Sequence, residues 1–290
     1  MRSGLIYPQT EFGSDPIAIR DYAQTAEELG YTHITAYDHI LGANPDRPDK
    51  LSGPYTYQTP FHEPFVLFSF MSGITKEIEF ATGIIILPQR QTAVVAKQAA
   101  TLDLLCGGRF RLGVANGWNH VEYTALGQNF HTRGQRIEEQ VILLRQLWTQ
   151  PLVRFEGRWH TIPDAGLNPL PYQRPIPIWF GGQSEPVLKR IARLGDGWMV
   201  NYRSSVNARP TFDKLHQYLI EAGRENVQFG IEVRILYGEG DPGTWEALIH
   251  DWQELGVSHI SLNTMGSGFD TPAKHLNAIR TFAKAMQLPR

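Results

Sequence analysis

Polar clusters that follow short apolar runs are where this chain could do chemistry: Asp38-His39, Gln89-Arg90, Asn116-Gly117-Trp118, Gly181-Gly182-Gln183, Asn201 and Met265-Gly266-Ser267-Gly268, with Tyr7 after the first run. A histidine titrates near neutrality, so Asp38-His39 reads as a proton-transfer pair or as a hydrogen-bonded structural pair. Gly181-Gly182-Gln183-Ser184 runs from an apolar stretch into a helical pattern. Backbone N–H groups at a helix start bind phosphate, and glycine lets the anion approach; the competing reading is a tight turn. Gly266 and Gly268 form a rival anion loop. Trp118, Trp179 and Trp198 fit core packing, or the walls around a flat ring. The ten histidines lack HxH or HxxxH spacing and Cys106 is the one cysteine, so no metal site is expected. No GxSxG elbow or Walker-type loop occurs.

The elements that must position these groups alternate. Strands are expected at Arg2–Tyr7, His33–Tyr37, Glu79–Leu87, Phe110–Ala115, Ile176–Phe180, Gly197–Val200, Val227–Leu236 and His259–Leu262. Helical patterns lie between them. Ile19, Tyr22, Ala23, Ala26 and Leu29 share one face, as do Ile137, Val141, Leu144 and Trp148. Asp15-Pro16 and Thr271-Pro272 read as cap and first turn, Ser184 precedes Pro186 in the same sense, and Cys106-Gly107-Gly108 ends a helix. The repeat predicts an α/β chain of one domain over 1–290, a (β/α)8 TIM barrel with active-site groups at the carboxyl ends of its strands. Two stretches break the rhythm, Leu41–His62 after the second strand and Pro151–Pro175 after the fourth. Both are expected over the strand ends as a lid or a dimer contact. His62-Glu63 precedes Pro64, where Glu63 reads as a helix entry or a pocket residue.

Composition narrows the function classes. The chain has 290 residues, 42% hydrophobic and 19% charged, with a net charge of −2, so neither nucleic acid nor an anionic membrane is an expected partner. The longest apolar run, Gly83–Leu87, is far short of the roughly 20 residues of a membrane span, and the N-terminus reads as a strand rather than a signal peptide. A single cysteine points to a reducing cytoplasm.

Several segments, in order, resemble the bacterial luciferase-like superfamily and, within it, the deazaflavin (coenzyme F420)-dependent oxidoreductases. They are AEELGY…AYDHI at Ala26–Ile40, ATGIIILPQR, AKQAATLDLLCGGRFRLGVANGW, GQRIEEQVILLRQLW, G-x-W-H at Gly157–His160 and PIPIWFGGQSEPVLKRIARLGDGW. The resemblance implies a TIM barrel with insertions, commonly a homodimer. It implies that Asp38 and His39 lie beside the ring, with His39 a proton donor or electrostatic partner. Thr82-Gly83-Ile84 falls where relatives hold a non-prolyl cis peptide against the ring. Asn116 and Gly117 fall on a cofactor-contact loop, and Gly181, Gly182 and Gln183 on the phosphate turn. Departures are Ala115 for a frequent glycine, Cys106 for a common serine, and Trp118 where sugar-phosphate-oxidising relatives carry a catalytic glutamate. Glu122, a pattern residue in close relatives, is open between packing, ion pair and catalysis. The implied activity is F420-dependent hydride transfer to or from a small organic substrate. The alternatives are an FMN enzyme (an FMNH2 and oxygen monooxygenase) and a non-catalytic flavin-binding relative; against the last stand the polar mouth and the long lid. Tyr55, Tyr57 and Phe61 hint at an apolar or aromatic substrate.

Overall fold

The computed structural model describes residues 1–51 and 53–289. Its elements run β1 (Arg2–Ile6), α1 (Pro16–Glu28), β2 (His33–Ala36), α2 (Pro64–Ser72), β3 (Glu79–Thr82), β4 (Ile85–Ile86), α3 (Thr92–Leu105) and β5 (Phe110–Ala115). Then come α4 (His120–Ala125), α5 (Arg133–Thr149), β6 (Val153–Glu156), β7 (Thr161–Ala165), β8 (Ile178–Gly181), α6 (Glu185–Leu194) and β9 (Gly197–Met199). The chain closes with α7 (Ser205–Glu221), β10 (Gly230–Leu236), α8 (Pro242–Glu254), β11 (His259–Asn263) and α9 (Pro272–Ala285). Asp15 caps α1 by accepting from the Ile17 N–H, with Pro16 in the first turn, where its missing donor costs nothing. Thr271 and Ser184 precede their helices without a side-chain cap bond.

Parallel strands follow the order β3-β2-β1-β11-β10-β9-β8-β5, and β3 pairs with β5 to close the ring. β4 pairs with β5 farther along, so β3 and β4 are two lengths of one stave. The nine strands of this sheet thus make eight staves, a closed (β/α)8 barrel. The sequence suggests one unbroken strand over Glu79–Leu87. It is interrupted at the cis Gly83–Ile84 peptide, where the Gly83 N–H donates to Ala36 O and a Cβ would collide with Thr35 Cγ2. The strand expected from Ile176 starts at Ile178, after two prolines, and the one expected from Val227 starts at Gly230.

The two insertions behave differently. In residues 41–51 and 53–62 an isolated bridge joins Ala43 to Thr56, and Tyr55 reaches the cavity at the strand ends. The 151–175 segment contains the antiparallel hairpin β6–β7, which does not line the cavity as a lid would. Glu139 on α5 accepts from the Arg158 and Trp159 N–H groups and contacts His160 Nδ1 at 2.7 Å, while His160 Nε2 lies 2.8 Å from Thr92 Oγ1. These bonds hold the hairpin tip against α3 and α5, on the outside of the barrel. The segment's own register therefore binds it to helices rather than to strand ends.

Inside the barrel a charged cluster is walled by strands. Glu232 accepts from Arg111, Ser261 Oγ and Thr35 Oγ1, and His33 Nε2 lies 3.3 Å away. Trp179 lies across Gly197 and Gly230, where any Cβ would strike the indole. Among the described residues no helix is long and apolar enough to cross a membrane.

Candidate active site

The carboxyl ends of the strands open into a cavity of about 520 Å³. Its lining includes Asp38, His39, Gly83, Ile84, Asn116, Gly117, Gly181 and Gly182, so eight of the ten residues singled out from sequence meet there. Thr82 and Gln183 do not line it. The Thr82 hydroxyl is buried in bonds to the Gly113 backbone, donating to its carbonyl and accepting from its N–H, and Gln183 is exposed.

Asp38 is buried in the cavity wall. One carboxylate oxygen accepts from Arg90 at 2.7 Å and the other from the Ile86 N–H at 3.1 Å. Burial raises its pKa above the usual carboxylate range, and Arg90 and the Ile86 N–H pull it part of the way back. The bonds tie the end of β2 to β4 across the interrupted stave. Arg90 also binds Glu63, which caps α2 through the Val66 N–H, so the helix-entry reading of Glu63 describes its geometry.

His39 is differently placed. Its Nδ1 lies 3.4 Å from Glu122 Oε2, and Glu122 is fully buried. Burial by itself would raise the Glu122 pKa, but His39, the Leu41 N–H and Gln89 together lower it, so the carboxylate is charged at neutral pH. Glu122 also accepts from the Ile40 and Leu41 N–H groups, pinning the root of the lid to α4. With Nδ1 directed at a carboxylate, Nε2 is the nitrogen available to a substrate. Tyr55, Phe61 and Trp118 pack edge-on around the ring at centroid distances of 5.1, 4.9 and 5.8 Å. A Cβ on Gly53 would collide with the Trp118 indole, so the lid runs directly against that side chain.

Farther around the rim, Gly181 and Gly182 join β8 to α6, which starts behind Ser184. Gly182 has φ +114°, a conformation open to glycine, and its carbonyl accepts from Trp198 Nε1 at 2.7 Å. Arg133 also lines the cavity, with its guanidinium 3.6 Å from the centre of the Phe130 ring. Asn116 Oδ1 is buried without a hydrogen-bond partner. The rival loop does not serve as an anion site: the Gly266 N–H is taken by the Glu11 carboxylate at 2.8 Å, and none of Met265–Gly268 lines the cavity among the described residues.

The sequence profile of the luciferase-like monooxygenase family matches residues 3–285. The chain belongs to this family. An uncharacterized Mycobacterium tuberculosis protein is 38% identical over 185 residues, covering 61% of this chain and 62% of that protein. The chain thus aligns with less than two thirds of that relative's length. The pyrimidine monooxygenase RutA of Allorhizobium ampelinum is 30% identical over 92% of this chain and 72% of its own length. An F420-dependent glucose-6-phosphate dehydrogenase of Amycolatopsis mediterranei is 29% identical over 78% of this chain and 66% of its own. The fold superposes on an F420-dependent secondary alcohol dehydrogenase with a TM-score of 0.79 at 19% identity, covering 100% of both chains.

Reading the sequence of this luciferase-like barrel left several cavity residues unnamed. Arg133, Arg190, Met199, Glu232 and Arg234 all line it. For the last two a signal existed. Glu232 and Arg234 alternate with Val233 and Ile235 along β10, and in a barrel strand one parity faces inward.

Proposed function

We propose that this protein is an F420-dependent oxidoreductase that transfers a hydride between the deazaflavin and a small organic substrate. The observation that carries this reading is the His39–Glu122 pair on the wall of a cavity that also holds an unpartnered acceptor, Asn116 Oδ1. Moving a hydride to or from a carbonyl carbon requires a proton at its oxygen, and a histidine oriented by a carboxylate is suited to exchange it. The residues present fit the cofactor. Asn116 Oδ1 suits a ring N–H, the Gly181-Gly182 turn ahead of α6 suits a phosphate, and Arg133 adds a cation to the lining.

When bound, the deazaflavin supplies the hydride-carrying ring. His39, held through Nδ1 by Glu122, gives or takes the proton at Nε2. Tyr55, Phe61 and Trp118 exclude water from that nitrogen. Asp38 acts at one remove, by fixing the wall from which His39 projects. The sugar-phosphate reaction of the Amycolatopsis relative is not part of this reading, because Trp118 replaces the glutamate implied by the resemblance.

A second reading, a monooxygenase using FMNH2 and oxygen, is favoured by the RutA relative, which aligns with 92% of the chain. Equilibrium titrations with F420 and FMN in parallel separate the two. Micromolar F420 binding with no FMN binding is the expected outcome; FMN binding without F420 binding overturns the proposal.

A further inference from the structure

We infer that the substrate of this site carries an anionic group, a carboxylate on an aromatic or apolar body, and that Arg234 selects it. The inference rests on the cofactor reading above, which assigns the β4–β5–β8 side of the mouth to the cofactor.

The charges lining the cavity are mostly matched. Asp38 pairs with Arg90, Glu232 with Arg111 and Arg190 with Glu138. Arg133 and Arg234 have no carboxylate within 4 Å among the described residues. Arg133 is accounted for by the cofactor phosphate to which the reading above assigns it. Arg234 is not. It rises from β10, which β9 separates from β8 in the barrel order. It donates to Tyr37 Oη at 3.2 Å and to Asn201 Oδ1 at 3.3 Å. Both partners are neutral, so they aim the guanidinium without cancelling its charge.

A cation in a partly dry cavity is costly unless something compensates it. A planar carboxylate matches the guanidinium fork and makes two charge-assisted bonds with it. The neighbouring lining is Tyr37, Tyr55 and Trp118, which suits an aromatic or apolar body below the anion. Glu239 does not take this role within the chain, because its carboxylate is bound to Arg203 at 2.9 Å.

Calorimetric titrations of benzoate and phenylacetate, each against its amide, into the cofactor-loaded protein test the inference. The wild type is expected to favour acid over amide by about tenfold, the equivalent of one good charge-assisted bond. Arg234→Gln should abolish that preference and Arg234→Lys should retain part of it, both with unchanged cofactor affinity. A wild type that binds acid and amide alike, an Arg234→Gln variant that keeps the preference, or one that loses cofactor instead, overturns the inference. If neither F420 nor FMN binds, the proposed function fails, while the acid-to-amide ratio on the protein alone still decides the role of Arg234.

Discussion

His33 and His39 stand six residues apart on the same β-strand segment and its extension, each beside a buried glutamate, and they do opposite things. His33 lies in the barrel interior with both ring nitrogens engaged, Nδ1 at 2.9 Å from Thr32 Oγ1 and Nε2 at 2.9 Å from Ser261 Oγ. His39 lies at the mouth with Nδ1 facing Glu122 and its other nitrogen free of protein partners among the described residues. Glu232 and Glu122 are both held below the usual carboxylate range against the opposing effect of burial, the first by Arg111 and His33, the second chiefly by His39. Glu232 lines the same cavity, so a buried ion pair does not by itself separate a structural role from a catalytic one. At the mouth stand a histidine with one nitrogen facing a carboxylate, Asn116 Oδ1 without a donor and Arg234 without a carboxylate partner among the described residues.

That contrast breaks most readily at Glu232. Glu232→Ala leaves Arg111 buried without its main partner, and the unfolding free energy should fall by about 3–5 kcal/mol in urea titrations. A loss below about 1 kcal/mol would remove the interior cluster from the list of fold determinants. His39→Ala should act the other way. Hydride transfer from reduced F420 to benzaldehyde should drop about 100-fold or more, with the melting temperature nearly unchanged. Turnover and cofactor affinity both equal to wild type would remove His39 from the chemistry.

Acid sensitivity sharpens the comparison. Burial, with Arg111 close by, lowers the His259 pKa from 6.5 to about 3, and burial lowers that of His33 as well. The His259 ring stays neutral in the folded protein while the unfolded chain takes up protons below 6.5. Its contribution is thus fully present above pH 6.5 and is lost as the pH falls toward the folded value. It adds a slope of about 1.4 kcal/mol per pH unit inside that window. Between pH 6.5 and 4.5, the stability curve of His259→Gln should be shallower than wild type by about one such slope. Parallel curves would show that the interior histidine is not neutral. The smallest effect is expected at Trp118→Ala. Removing the indole that Gly53 rests on should raise KM by about threefold and speed proteolysis within 41–62, since the lid loses packing rather than chemistry.

Much of the barrel was legible because its strands and helices announce themselves by period and by caps such as Asp15-Pro16. The glycine turn at Gly181-Gly182, Asn116 and His39 were legible because chemistry in this fold gathers at strand ends. Other features were not. Glu122 lies in the first turn of the short helix α4, and its sequence left packing, ion pair and catalysis open; only its tertiary reach to His39 and the lid root chooses the ion pair. Gln183 follows the two glycines in sequence but points to solvent, since a turn changes direction at every residue. Thr82 precedes the stave's interruption and turns into the wall. The hairpin β6–β7 was hidden among prolines and weak periodicity, and its docking depends on Glu139 from a distant part of α5.

Titration of F420 into the wild type, Asn116→Ala and His259→Gln compares mouth with interior in one measurement. The expected result is about tenfold weaker binding for Asn116→Ala, one lost hydrogen bond, with His259→Gln binding like the wild type. Equal affinity for all three proteins, or weakening only in His259→Gln, would contradict the assignment of binding to the mouth and of stability to the interior.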